Sequence, residues 1–462
     1  MPITLGPGIK ITPNGCLGVS GFQAGIPLNA SVISTATVIG STTATVVFVA
    51  PVNNTGVPIT SYVATSSPGN ITATVTQSGS GTITVTGLTS GQNYTFTVTA
   101  YNLFGAGLTS AASNNITTPL VFPGFNTPAI MNGSTTYAQM SSVAVNSSGL
   151  FVAVGNDNSN APLYATSSDG ATWTTPARMN GSSAGTSMMS VAVNSSGLFV
   201  AVGYDSTYAY PLYATSSNGT TWTTPATMNG SNTFALIKSV AVNSSGKFVA
   251  IGRNSNNYPI YATSSDGSTW TTPTAIPNSD VTNLNSITVN SSGLFVAVGS
   301  LGGYPAYTTS LNGSTWSTAT APNGTAQMNA SSTSGYMMSV AVNSSGLFVA
   351  VGYTASGGYP LYSTSTDGNT WSIPATMNGS TTYARMLSIT VNSLGLFVAV
   401  GNDSNNYPLY AYSNDGSTWT TPATMNGSAT LASMNSVAVN SAGKFVAVGY
   451  NSNVYPLYAT SK

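Results

Sequence analysis

The segment VAVNSSGLFVAVG, Val143 to Gly155, recurs almost unchanged at Val191–Gly203 and Val340–Gly352. Tracked by its last glycine, the same unit is found at Gly155, Gly203, Gly252, Gly299, Gly352, Gly401 and Gly449. The intervals are 48, 49, 47, 53, 49 and 48 residues, so seven copies share a nearly constant period. A unit this short cannot bury its own apolar face, and repetition supplies neighbours that cover it.

Each copy holds four strand-sized pieces. In the second they are MMSVAVN, LFVAVGY, YPLYATS and TWTTPATM. Four short strands at this period are the signature of a β-propeller blade, so residues 119–462 are expected to form a seven-bladed β-propeller. Trp173, Trp222, Trp270, Trp316, Trp371 and Trp419 each open a fourth strand, which makes six. The chain ends at YPLYATSK, before the seventh copy has one. The missing piece is at the other end: GFNTPAIMNGSTTYAQM (124–140) aligns with TWTTPATMNGSATLASM (418–434) and puts Phe125 at the Trp position. Residues 122–130 are therefore expected to pair beside the C-terminal strand, closing the ring and removing its exposed edges.

Composition narrows the function classes. Only 3% of the 462 residues are charged, with eight basic and eight acidic side chains, against roughly a quarter charged in an ordinary domain. All eight acids are Asp; Glu and His are absent. This balance argues against nucleic acid, which needs clustered Lys and Arg, and against electrostatic docking on anionic lipid. No apolar run approaches the roughly 18 residues that span a bilayer. The opening MPITLGPGIKITPNG has neither a basic flank nor an apolar core, so it does not read as a secretory signal. A lone Cys16 cannot form an internal disulfide and reads as a small packed residue. Abundant Val, Ala, Tyr and Ile in alternation, with 48 Gly and few helix formers, point to an all-β chain.

Residues 1–30 are Gly-rich and weakly patterned and are expected to anchor the chain to a larger assembly. Residues 31–118 hold the alternating strands TATVVFVAP, ITSYVATSS, ITATVTQSG, GTITVTGL and YTFTVTAYN, which read as a β-sandwich. This segment resembles a fibronectin type III domain. The resemblance rests on VVFVAP ending at Pro51, on PITSY with Tyr62, and above all on GLTSGQNYTFTVTAYNLFGAG. There Leu88, Gly91 and Tyr94 match the family's tyrosine corner, with Asn102, Gly105 and Gly107 following, and Phe48 stands where the family places a core Trp. The family implies a spacer or binding module.

The turn before each Trp, such as SSDGATW (167–173), resembles the Asp-box repeat of sialidases, with one residue fewer between Asp and Trp. Asp169, Asp266, Asp367 and Asp415 suit a tight turn, where Asp bonds to nearby N–H groups and Gly accepts positive φ. Asn218 and Asn312 replace Asp in two copies, which favours a structural role. A sialidase-like site would need an arginine cluster, a Tyr activated by Glu and an acidic proton donor. Glu is absent, and Arg178, Arg253 and Arg385 occupy different positions in their repeats. His-based acid–base chemistry is impossible, and paired carboxylates could come only from Asp. Asp157, Asp205 and Asp403 sit in loops between second and third strands, and Asp280 in another loop. The oxygen-rich GNDNSN and GNDSNN pieces lack calcium-loop spacing. No enzyme activity, metal or cofactor is expected.

The NSSG and SSDG turns keep their length in every copy and share one face. The other two connections share the opposite face and vary, from NDNSN to the long APNGTAQMNASSTSGYMM. Loops on a rigid scaffold commonly carry recognition, so Tyr137, Tyr208, Phe234, Tyr336 and Tyr383 are the candidate ligand-binding residues. Tyr suits glycan or protein contact because it joins an apolar ring to a polar tip. The repeated Tyr-Pro tyrosines (Tyr210, Tyr258, Tyr304, Tyr359, Tyr407, Tyr455) are expected to pack between blades. The expected protein is a non-enzymatic adhesive surface component, compatible with a homo-oligomer, attached through residues 1–30 and presenting a propeller to a host glycan or protein. The MPITLGPGI opening resembles leaders of phage structural proteins, which favours a virion fibre or capsid decoration. A microbial cell-surface or extracellular adhesin is the alternative, and a glycan-active enzyme ranks third.

Overall fold

A computed structural model describes residues 10–11, 17–18, 29–52, 57–134, 137–182, 184–230, 234–276, 283–317, 328, 333–380, 383–427 and 431–462. Cys16, Asp280 and nearly all of residues 1–30 lie outside them; within the latter, Lys10–Ile11 pairs antiparallel with Leu17–Gly18. The chain divides into two compact units, Met1–Val121 and Phe122–Lys462. Among the described residues every long element is a strand, and no helix is long and apolar enough to cross a membrane.

The first unit is a β-sandwich. Val32–Gly40, Thr43–Val49 and Gly81–Thr86 form one sheet; Ile116–Thr117, Asn93–Asn102, Ile59–Ser67 and Thr72–Val75 form the other, with Gly105–Thr109 added to Asn93–Asn102. Alternate residues of each strand enter the core, where the Phe48 and Tyr62 rings lie 4.3 Å apart. The Tyr94 hydroxyl accepts a bond from Thr89 N (2.9 Å), tying the strand to the turn before it. Gly91 in that turn has φ +73°, which suits glycine.

The second unit consists of repeated antiparallel sheets of the propeller type. The first has strands Gln139–Val145, Phe151–Asn156, Pro162–Ser167 and Ala177–Arg178. The second (Thr186–Val193 to Ala226–Thr227), third (Ala235–Val242 to Thr274–Ala275), fifth (Gly335–Val342 to Ala375–Thr376) and sixth (Arg385–Val391 to Ala423–Thr424) repeat it. The fourth shows three strands among the described residues, Asn283–Val289, Phe295–Leu301 and Tyr304–Ser310. The seventh joins Ala432–Val439, Phe445–Asn451 and Pro456–Thr460 to Ala129–Ile130. There Ala129 pairs with Tyr458 and Ile130 with Leu457, and Phe125 bridges Ser461 as Trp270 bridges Ser264.

Two sets of contacts link successive sheets. In each first strand a serine accepts the N–H of the next sheet: Ser142 from Val191, Ser190 from Val240, Ser239 from Ile287 and Ser286 from Val340. Ser339 accepts from Ile389, Ser388 from Val437 and Ser436 from Val143, at 3.1–3.3 Å throughout. The second set is aromatic. Tyr164 packs on Trp222, Tyr213 on Trp270, Tyr261 on Trp316, Tyr307 on Trp371, Tyr362 on Trp419 and Tyr458 on Trp173, with centroids 5.8–6.2 Å apart. Tyr410 takes the same place against Phe125, edge-on at 5.7 Å.

The final glycine of the hairpin has a steric cause. Each first strand carries a β-bulge, between Met140 and Ser142 in the first sheet. The bulge brings the Gln139 carbonyl so close that a Cβ on Gly155 would lie 1.8 Å from its oxygen. A Cβ on any of the other six glycines would fall 1.7–1.9 Å from the equivalent carbonyl oxygen, so any side chain would force the strands apart.

Candidate ligand-binding face

The two constant turns sit at one end of the strands. In the first, Asn146 Oδ1 accepts from Ser148 N (3.1 Å) and Leu150 N (3.0 Å), while Gly149 has φ +87°. In the second, Asp169 Oδ1 accepts from Ala171 N (2.8 Å) and Thr172 N (2.6 Å), and Oδ2 accepts from Thr172 Oγ1 (3.0 Å). The buried Trp173 closes this turn by donating Nε1–H to Gly170 O (3.0 Å). Asp266, Asp367 and Asp415 repeat the pattern. Bonds from the Thr172 and Thr269 backbones hold the Asp169 and Asp266 carboxyls well below the usual carboxylate range. For Asp367 and Asp415 burial pulls upward, but the turn's bonds outweigh it and the net shift is down. These carboxylates are occupied by their own turns. Asn218 Oδ1 accepts the same two backbone bonds, which explains why Asn serves there.

The opposite end carries the connections of unequal length. Tyr336 and Tyr383, two of the candidate binding residues, come together there through a shared neighbour. Tyr336 and Tyr353 face each other across the fifth sheet with centroids 5.5 Å apart. The Arg385 guanidinium, at the start of the sixth sheet, lies 4.9 Å from the Tyr353 centroid and 5.2 Å from that of Tyr383. Gly357 and Gly358, at φ +83° and +60°, complete the cluster: a Cβ on Gly358 would fall 2.4 Å from the Tyr383 ring. Arg385 is exposed and the three tyrosines are half-buried, so one cation and several ring edges are presented together. Burial raises the Tyr353 hydroxyl pKa, with the nearby Arg385 opposing, so the hydroxyl stays a neutral donor.

The other candidates stand apart. Tyr208 is 62% exposed and stacks on Tyr210 at 5.3 Å. Tyr137 meets Tyr455 edge-on at 6.3 Å. Phe234, 40% exposed, lines a cleft of about 410 Å³ with Asn254, Ile260 and Ala275. The three arginines do not share partners. Arg178 donates Nε–H to Asp157 Oδ2 (2.9 Å) and forms an ion pair with it, Arg253 bonds Asn257, and Arg385 lies over tyrosines. Among the described residues no three His, Cys, Asp or Glu side chains group to hold a metal.

Sequence reasoning missed two features. The tyrosines that pack against the tryptophans belong to the PLYATS-type pieces and not to the Tyr-Pro pairs; Tyr258, for example, is 56% exposed. The Met-Asn-Gly start of the varied connection is itself regular. Met131, Met228, Met377 and Met425 are buried, and the following Asn takes φ of 41–50°. Its Nδ2 donates to a threonine of the next sheet, as from Asn132 to Thr175 (2.7 Å). Recurrence of MNG was the available signal.

Residues 33–116 match the fibronectin type III domain, and residues 142–302 match the BNR repeat-like domain. The chain is thus an all-β protein that joins a fibronectin type III domain to a BNR-type repeat domain. No curated protein matches it in sequence. Among solved structures, the BP39L lectin of Burkholderia pseudomallei is 10% identical over 70% of this chain and 96% of its own, with TM-score 0.52. The Hadza microbial sialidase Hz136 is 14% identical over 95% and 98%, with TM-score 0.39. YCF48 bound to D1 peptide is 16% identical over 55% and 72%, with TM-score 0.38. At these identities the lectin likeness speaks for the fold alone, and the other two scores carry no argument.

Proposed function

We propose that this chain is a non-enzymatic surface-binding protein, in which a closed seven-bladed propeller, residues 119–462, presents its varied face to a glycan or protein. Support for closure comes from the two contact sets: the serine series runs from sheet to sheet and returns from Ser436 to Val143, and the aromatic series returns from Tyr458 to Trp173. The observation that carries the binding reading is the cluster of Tyr336, Tyr353, Tyr383 and Arg385 on that face. Aromatic faces stack on apolar patches of sugars or side chains, while Arg and phenol groups supply directional bonds. Against catalysis stand the absence of Glu and His and the engagement of four of the eight Asp in turns.

A glycan array and an immobilised peptide library, each probed with the whole chain, test this. Binding should fall about tenfold or more in Arg385→Ala and in Tyr353→Ala, with Tyr101→Ala in the other unit as control, because a cation or ring that a ligand covers and desolvates contributes roughly 1–2 kcal/mol. Unchanged binding in both variants, or turnover of a bound glycan, overturns the reading. Placement on a virion, with residues 1–30 as the anchor, rests on the resemblance of the MPITLGPGI opening. Stoichiometric copies in purified particles would support it; their presence on cell envelopes alone would favour an adhesin.

A further inference from the structure

The third sheet departs from its repeats at two positions. The bulge residue of the first strand is Ser141, Met189, Asn285, Met338, Leu387 or Asn435 in six sheets, and Lys238 in the third. The residue after the final hairpin glycine is Asn156, Tyr204, Ser300, Tyr353, Asn402 or Tyr450 in the same six, and Arg253 in the third. Two of only eight basic side chains thus fall beside one bulge. Both are half-buried. Lys238 Nζ donates to Asn283 Oδ1 (2.7 Å) and Asn285 Oδ1 (3.0 Å), and Arg253 Nη1 donates to Asn257 Oδ1 (2.7 Å). Arg253 Nε is shut off from solvent without a hydrogen-bond partner. Among the described residues the one ion pair is Arg178–Asp157, on another sheet, so neutral amides are all that these cations bond.

Two like charges, partly removed from water and with no carboxylate bonded to them among the described residues, oppose folding unless an anion joins them. The six other sheets build the same bulge without charge, so the pair is not needed for the fold. We propose that Lys238 and Arg253 form a binding site for a single oxyanion, a carboxylate or a sulfate, free or carried on an acidic polysaccharide. An ammonium has three N–H donors and the two amides take two of those of Lys238, while a planar guanidinium suits such an oxyanion. The pair also leaves its mark on titration: burial first, and then the Arg253 charge, lower the Lys238 pKa to about 8. Anion affinity should accordingly decline as pH rises through that value. The site is independent of the tyrosine–arginine cluster and can fail or stand without it.

The test uses the whole chain with ¹³C-labelled lysine, whose five Cε signals are few enough to follow singly, titrated with sodium sulfate and with acetate at constant ionic strength. Saturating sulfate should raise the Lys238 midpoint by about one pH unit, a tenfold change in the proton equilibrium, while Lys247 and Lys444 stay put. Arg253→Gln should weaken the sulfate response at least about tenfold and itself raise the Lys238 midpoint. Dextran sulfate or a uronate oligomer binding more tightly than the free ion, with plain dextran inert, assigns the anion to a polymer; equal affinity assigns it to the free ion. Three results overturn the proposal: all lysines responding alike, Arg253→Gln leaving the response intact, or sulfate acting only in Asp280→Asn. The last would mean that a carboxylate of the chain itself fills the place.

Discussion

Gly352 illustrates how one atom constrains the repeat. A Cβ there would sit 1.8 Å from the Tyr336 carbonyl oxygen, and both atoms belong to backbone that cannot swing aside. Gly352→Ala should cost about 1–3 kcal/mol, the usual range for overpacking, read as a shift of the denaturant midpoint. Gly346→Ala in the NSSG turn meets nothing within 4 Å but has φ +88°, so its cost comes from conformation alone. The turn aspartates make a pH prediction. Their folded pKa values are depressed, so their contribution is complete above the unfolded value of roughly 3.9 and is lost as pH falls through the lower folded values. Melting temperature should therefore hold from pH 7 to 5 and drop below about 4. Asp266→Asn should blunt that drop at little cost near neutrality, as Asn218 already makes the turn, whereas Asp266→Ala should lose about 1 kcal/mol or more. The SSDG string made this turn legible, because Asp and Gly at fixed offsets have one economical arrangement.

A sheet is held to its neighbours by a serine and an aromatic pair, and these two devices can be weighed separately. Ser239→Ala removes the acceptor for Ile287 N–H and should cost about 1 kcal/mol. Trp222→Ala empties a buried site next to Met179, Val191 and Tyr164 and should cost about 3–5 kcal/mol by thermal or chemical unfolding. Tyr164→Ala should cost less, since that ring is only half-buried. The tryptophans were legible because they recur at one offset. Their tyrosine partners were not, since six of the seven copies hold a tyrosine before the proline as well as one after it, and sequence alone does not tell which one crosses to the next sheet. The same ambiguity hid the Met-Asn-Gly turn: a repeated start was read as part of a varied loop.

At the scale of the molecule, the strand Ala129–Ile130 joins the two ends of the repeat domain, with Phe122 and Phe125 packed among Tyr410, Tyr412 and Phe445. Deleting residues 122–130 should leave the seventh sheet with an unpaired outer edge and an emptied aromatic cluster. Calorimetry should then show the propeller transition lowered or split, while the fibronectin-type unit melts unchanged. Retention of the parent transition would count against ring closure. By itself, the amino-acid sequence determined the period, the strands, the constant turns and the piece of chain that completes the last repeat, because each is a local pattern repeated often enough to average out chance. Only the tertiary structure decided which aromatics meet, that Arg385 lies between Tyr353 and Tyr383, and that Lys238 and Arg253 flank one bulge with only amide partners among the described residues. Those are contacts between residues far apart in the chain or on different strands, and the packing of the sheets, which no local pattern encodes, sets their distances.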